Sequence, residues 1–131
     1  MRKQSSGRVR VTLALGAVAL VLLFSTRMSA HHGWGGYGDK EFEITGVVET
    51  PVSLAGPHAT MRIKASDGKV WDVVLAPPFR TESAGLKEGI IPMGATVTAH
   101  GHRHRDANKN EIKTERVTWN NKVFNVYPDR D

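Results

Sequence analysis

Histidine residues carry most of the chemistry that can be inferred from this chain, because its 131 residues include six histidines and no cysteine. Without thiols, the metal ligands that remain are imidazole, carboxylate, thioether and amine groups. The histidines form a pair, a single residue and an alternating triplet, at His31, His32, His58, His100, His102 and His104. Each of these groups predicts a different kind of site.

The pair His31-His32 is important because of the segment before it. A basic start followed by an apolar run too short to span a bilayer is typical of a secretory signal peptide, with an uncleaved membrane anchor as the alternative. Cleavage after Ala30 predicts a signal peptide at 1–30 and a mature chain at 31–131, located in the periplasm or secreted. We then expect His31 to carry a free α-amine and an imidazole, two nitrogen donors on one residue.

Removal of the predicted signal peptide changes the charge of the chain. The full sequence has a formal net charge of +5 from 18 basic and 13 acidic residues. The predicted mature chain retains 13 basic residues and all 13 acidic ones, so its net charge is zero. This balance argues against the basic surface that nucleic-acid binding requires. We expect no nucleic-acid partner and no stable membrane association after signal removal.

Short segments of alternating apolar and polar residues must position the remaining histidines. Strands are expected at 41–48, 58–64, 70–75, 95–104, 111–119 and 123–127, with a bulge at Gly46 and a short helical connector at 79–86. Five to six strands with one connector favour an all-β fold, a small OB-like β-barrel, because closing the sheet removes its edges. A small β-sandwich is the alternative. No segment is long enough to be the crossover helix of a parallel α/β fold.

The triplet His100, His102 and His104 alternates along the fourth predicted strand. A period of two places all three imidazoles on one face, where two of them can converge on one ion. These three residues are therefore secondary candidates for metal ligands. A solvated strand face whose histidines have no such role is the alternative.

Short motifs give the chain a resemblance to a family of small exported bacterial proteins of unknown function. The motifs are the His31-His32 start, the segment Thr45-Gly46-Val47-Val48, and Gly56-Pro57-His58-Ala59. The last resembles an Asn-Pro-His-Ala motif in which Gly56 replaces the asparagine. The resemblance implies a compact OB-like periplasmic domain with no established reaction.

The histidines together predict a periplasmic metal-binding protein, with Cu(II) favoured and zinc or nickel possible. In a histidine brace, His31 supplies its amine and imidazole and His58 supplies a third nitrogen. This arrangement is similar to the copper sites of secreted copper monooxygenases and periplasmic copper carriers. In the competing mode, His31 and His32 form a terminal chelate without help from the fold.

A function of a different class remains open at this point. OB-like barrels often bind other molecules on the barrel face, so a non-metal binding module for a protein or small-molecule partner is the alternative to metal binding. The sequence shows no acid/base pair and no substrate cleft, so an enzyme is not the favoured hypothesis.

Overall fold

The computed structural model describes residues 33–130. The chain divides into two compact units, Met1–Gly35 and Gly36–Asp131, and only the last three residues of the first unit are described. The predicted signal peptide, His31 and His32 lie outside the described residues. Within the described range, no helix is long and apolar enough to cross a membrane.

The second unit is an all-β barrel. Its described elements are β1 (Phe42–Ser53), β2 (Thr60–Ala65), β3 (Val70–Val74), α1 (Pro78–Ser83), β4 (Thr96–Arg103), β5 (Glu111–Trp119), β6 (Lys122–Asn125) and a 3-10 turn (Pro128–Arg130). The strand order is β3-β2-β1-β4-β5-β6, and β3 also pairs in parallel with β5. The first five strands therefore form a closed barrel, and β6 extends the sheet beside β5. The expected OB-like fold is confirmed.

β1 is long enough to pair with strands on both of its sides. Its pairing with β2 shifts register twice in its second half, so the strand bends and continues to Ser53. The bulge expected at Gly46 is wrong, because Gly46 is in register with its partners on both β2 and β4. A glycine is needed there for another reason: a Cβ would lie 2.7 Å from the carbonyl oxygen of Lys64.

Alternation along the strands fills the interior of the barrel with apolar side chains. In β2 every second residue is buried, as a period of two predicts. The largest fully buried apolar side chains are Phe124, Met61, Ile63, Leu75, Leu86, Ile91 and Ile112. Since the chain has no cysteine, the stability of the barrel comes from this packing.

The helical connector lies between β3 and β4, where it was expected. α1 begins with Pro78, whose fixed φ suits the first helical position. The hydroxyl of buried Thr81 donates a hydrogen bond of 2.8 Å to the carbonyl oxygen of Ala76. This bond ties the helix to the chain that leaves β3.

Candidate metal centre

His102 on β4 is a buried histidine with a defined orientation. Its side chain is 9% exposed, and its Nδ1 lies 2.9 Å from the carbonyl oxygen of Gly38. A carbonyl oxygen only accepts hydrogen bonds, so Nδ1 carries a proton and donates it. Nε2 is then the ring nitrogen that can bind an ion. A ring N–H held by a backbone carbonyl is a common way to orient metal-binding imidazoles.

Glu115 faces His102 from the neighbouring strand. Its side chain is 1% exposed, and its Oε1 lies 2.9 Å from Nε2 of His102. A bulge in β5 positions Glu115, because the pairing with β4 shifts register between His100 and Gly101. Gly101 permits the bulge, since a Cβ at this position would overlap the carbonyl oxygen of Lys113.

Glu41, which immediately precedes β1, completes a group of three. Its Oε1 lies 3.7 Å from Nε2 of His102. One ligand atom from each of Glu41, His102 and Glu115 lies within 4.8 Å of the other two. In the part of the chain that the structure describes, this is the one group of three or more histidine and acidic residues whose ligand atoms are this close together. Metal–ligand bonds of about 2.0–2.2 Å require such close spacing.

The two oxygens of Glu115 have different surroundings. Oε1 accepts a hydrogen bond of 3.4 Å from Nε of Arg130, which belongs to the 3-10 turn. Oε2 lies 4.0 Å from Nη1 of Arg116, is buried, and accepts no hydrogen bond from the described residues. A buried carboxylate oxygen without a hydrogen bond carries a desolvation cost that a cation can relieve. The donor atoms therefore fit a divalent metal ion.

His100 on β4 and His104, which follows the end of β4 and forms an isolated bridge with Tyr37, differ in their neighbours. His100 is 20% exposed and contacts Glu41, as His102 does, so these two imidazoles lie on the same face of β4. His104 instead has Nε2 3.8 Å from Oε2 of Glu111 and packs edge-on against the ring of Tyr37. Burial and the hydrogen bond from the Tyr37 hydroxyl to Glu111 raise the pKa of that tyrosine. His104 lies outside the group of three.

His58 lies in the loop between β1 and β2, and it is not part of the group. Burial lowers the pKa of His58, and the positive charge of Lys113 lowers it further. Lys113 is itself buried on β5, and burial lowers its pKa whereas the charge of Glu111 raises it. The ring of His58 therefore stays neutral to lower pH than a free histidine. Its predicted partner His31 is outside the described residues.

Sequence reasoning finds His102 but neither Glu41 nor Glu115. Glu41 is one of several polar residues before a strand, and Glu115 is one of several charged residues within a strand. The sequence feature that could have pointed to Glu115 is Gly101, because a glycine between two histidines of one strand indicates that the neighbouring strand approaches closely. A bulge opposite that glycine can turn a side chain of the next strand toward the histidines.

The structure is thus an OB-like domain in which Glu41, His102 and Glu115 form a group that could hold a metal ion. Residues 19–114 match a family of unknown function, DUF6152, and the chain belongs to this family. The expected membership of an uncharacterised family agrees with this match, whereas the His-His start and the Pro-His motif stay predictions. No curated protein matches the chain.

Two solved structures with similar backbones are both of TiaS. The ZRD-deleted mutant of TiaS in complex with agmatine is 12% identical over 61% of this chain and 21% of that chain, with a TM-score of 0.48. Apo TiaS (tRNAIle2 agmatidine synthetase) is 15% identical over 61% of this chain and 18% of that chain, with a TM-score of 0.47. The protein thus spans about a fifth of each TiaS chain, and the likeness carries no functional argument.

Proposed function

We propose that this protein binds a divalent transition-metal ion through Glu41, His102 and Glu115. The observation that carries the proposal is the buried carboxylate of Glu115, which converges with an oriented imidazole and a second carboxylate within 4.8 Å. Imidazole is a ligand for copper, zinc, iron and nickel, and two carboxylates neutralise a dication. The ion would replace the proton that His102 and Glu115 share, so binding releases protons.

Cu(II) is the ion that we expect to bind most tightly. Affinities for nitrogen and oxygen ligands peak at copper among the divalent first-row metals, with Zn(II) and Ni(II) below it. We further propose that the protein works in the periplasm or outside the cell, after cleavage behind Ala30. The intact mass of the exported protein tests this part, and a mature chain that does not begin at His31 contradicts it.

Calorimetric titration of the metal-free full chain with Cu(II), Zn(II) and Ni(II) tests the centre. Glu41→Gln and Glu115→Gln keep the side-chain shape and remove the charge, so each should weaken binding at least about tenfold. Glu49→Gln is the matched control, because Glu49 is on β1 and forms an ion pair of 3.8 Å with Lys64. We expect this variant to bind as the unchanged protein does.

Two outcomes would overturn the metal proposal. One is the absence of binding in the unchanged protein, and the other is equal binding in Glu41→Gln and Glu115→Gln. Either would identify the group as a buried ion-pair network that serves the fold. Absence of binding would favour the OB-like module for a protein or small-molecule partner, whereas binding that both variants retain would favour the second candidate site at the N-terminus.

A second candidate is the N-terminal copper site, in which His31 and His58 form a brace or His31 and His32 form a chelate. The lowered pKa of His58 supports the brace, because a metal-binding imidazole must be neutral. One extra residue ahead of His31 converts its amine to an amide and should weaken either site. His58→Ala should weaken the brace alone, and Glu41→Gln should affect neither.

A further inference from the structure

His100 repeats the arrangement of His102 two residues earlier on β4. Its Nδ1 lies 3.2 Å from Oε2 of Glu43, the residue directly opposite on β1. Its Nε2 forms a hydrogen bond with Oε2 of Glu41. Each ring nitrogen of His100 thus faces a carboxylate, and an ion bound at Nε2 would take the place of the proton in the hydrogen bond with Glu41. A carboxylate on the far ring nitrogen is the arrangement that orients metal-binding histidines.

Glu41 stands between two oriented imidazoles. Its Oε2 contacts His100, and its Oε1 lies 3.7 Å from Nε2 of His102. In two-metal sites the ions are about 3.5–4 Å apart, a spacing at which one carboxylate can give an oxygen to each. A proton and a metal ion compete for the same lone pairs, so the hydrogen bond between His100 and Glu41 marks a place where an ion can bind.

We propose that the protein holds a second divalent ion between Nε2 of His100 and Oε2 of Glu41, and that Glu41 bridges the two ions. The inference rests on the proposed function, because Glu41, His102 and Glu115 hold the first ion. Glu43 does not bind the second ion but positions His100. The side chain of Glu41 is 56% exposed and that of Glu115 is 1% exposed, so the second ion lies nearer the solvent. It completes its coordination with water and binds more weakly than the first.

Titration of the metal-free full chain with Cu(II), followed by electron paramagnetic resonance and metal analysis, tests the bridge. We expect two Cu(II) ions per chain. The first equivalent should give the signal of an isolated ion, and the second should reduce the total intensity because the two spins couple through the carboxylate. His100→Gln should bind one ion and show no coupling.

Two more variants distinguish a residue that positions His100 from residues that bind the ion. Glu43→Gln should still bind both ions, with the second at least about tenfold weaker, because Glu43 acts through His100. His104→Gln is the matched control just beyond the end of β4, since Nδ1 of His104 accepts a hydrogen bond of 3.0 Å from the backbone N–H of Asp106. This variant should retain two coupled ions. The unfolding temperature of each metal-free variant checks that the barrel is intact.

The possible results distinguish this inference from the proposed function. One ion per chain in both the unchanged protein and His100→Gln overturns the second ion and leaves the proposed function standing. No ion in either protein overturns both. Two ions without magnetic coupling, or a second ion that His100→Gln retains, place the second ion elsewhere and overturn the bridge.

Discussion

Arg130 occupies part of the space around Glu115 that a metal ion would need. Its guanidinium donates to Oε1 of Glu115, the same oxygen that faces His102. A buried carboxylate is tolerated only when it is paired, and Arg130 provides a cation in the absence of a metal ion. Arg130 therefore stabilises the metal-free barrel, and it would compete with an ion at the proposed centre.

Arg130→Ala should separate these two roles. The metal-free protein should lose about 1 kcal/mol of free energy of unfolding, because a hydrogen bond to a charged group at a partly exposed position disappears. Ion binding should become tighter, because the ion no longer displaces a guanidinium. Chemical denaturation and calorimetric titration measure the two effects.

Arg62→Ala is the control for this prediction. Arg62 forms an exposed ion pair of 2.8 Å with Asp72, between β2 and β3. Its removal should leave the affinity for the ion unchanged. Weaker ion binding in Arg130→Ala would show that Arg130 organises the carboxylates instead of competing with the ion.

His58 leads to a prediction about pH. Burial and the charge of Lys113 keep its pKa in the folded protein below the ordinary value of 6.5. As the pH falls through that value, the unfolded chain takes up a proton that the folded chain excludes, so the free energy of unfolding decreases. Denaturation curves from about pH 7.5 to about pH 5 should show a larger loss in the unchanged protein than in His58→Gln. Equal losses of unfolding free energy in the two proteins would contradict the lowered pKa of His58.

At the scale of the elements, the bulge in β5 links the fold to the centre. Gly101→Ala should cost at least about 2 kcal/mol of stability, because its Cβ would overlap the backbone of β5. The same change should abolish or strongly weaken ion binding, since β5 must move and Glu115 moves with it. Thermal unfolding and metal titration of the variant measure both losses.

Gly36→Ala is a suitable control for the glycine prediction. A Cβ at Gly36 would lie 3.7 Å from Nε2 of His104, which is an ordinary contact. Its stability and ion affinity should be close to those of the unchanged protein. If Gly101→Ala also bound the ion normally, the bulge would not be what positions Glu115.

Periodicity predicts those parts of the fold in which each strand alternates without interruption. β2 and β3 bury every second residue. The predicted bounds of β5, 111–119, are also correct, although the bulge at Glu115 interrupts its alternation. The first strand was expected to end at residue 48, whereas β1 continues to Ser53 through Pro51, which lies at a register shift where a strand tolerates proline.

The candidate site is harder to predict than the fold. His102 is visible because the alternation of three histidines is local in the sequence. Glu115 cannot be recognised from the sequence, because the direction of its side chain depends on how β4 and β5 pair across a bulge. Glu41 cannot be recognised either, because it comes close to His102 only after β1 and β4 have paired.

At the scale of the whole molecule, an ion at this centre should stabilise the barrel as a unit. Its ligands come from distant parts of the chain, so only the folded state binds it well. At a free concentration of about 100 times Kd, the ion should add about 2.7 kcal/mol to the free energy of unfolding and raise Tm by about 10 °C or more. Differential scanning calorimetry measures the shift, and a chelator should reverse it. An equal shift in Glu41→Gln would place the ion at another site.

The parallel pairing of β3 with β5 also has a consequence for the kinetics of folding. The two strands are separated by α1 and all of β4, so their contact requires closure of a long loop before it gains any stability. Glu41, His102 and Glu115, the proposed ligands, meet only after β4 has paired with both of its neighbours. We therefore expect Zn(II) to slow unfolding in stopped-flow experiments and to leave the refolding rate unchanged. Faster refolding with Zn(II) would show that the centre forms before the barrel closes. An unchanged refolding rate would mean that the ion binds only after the barrel has folded.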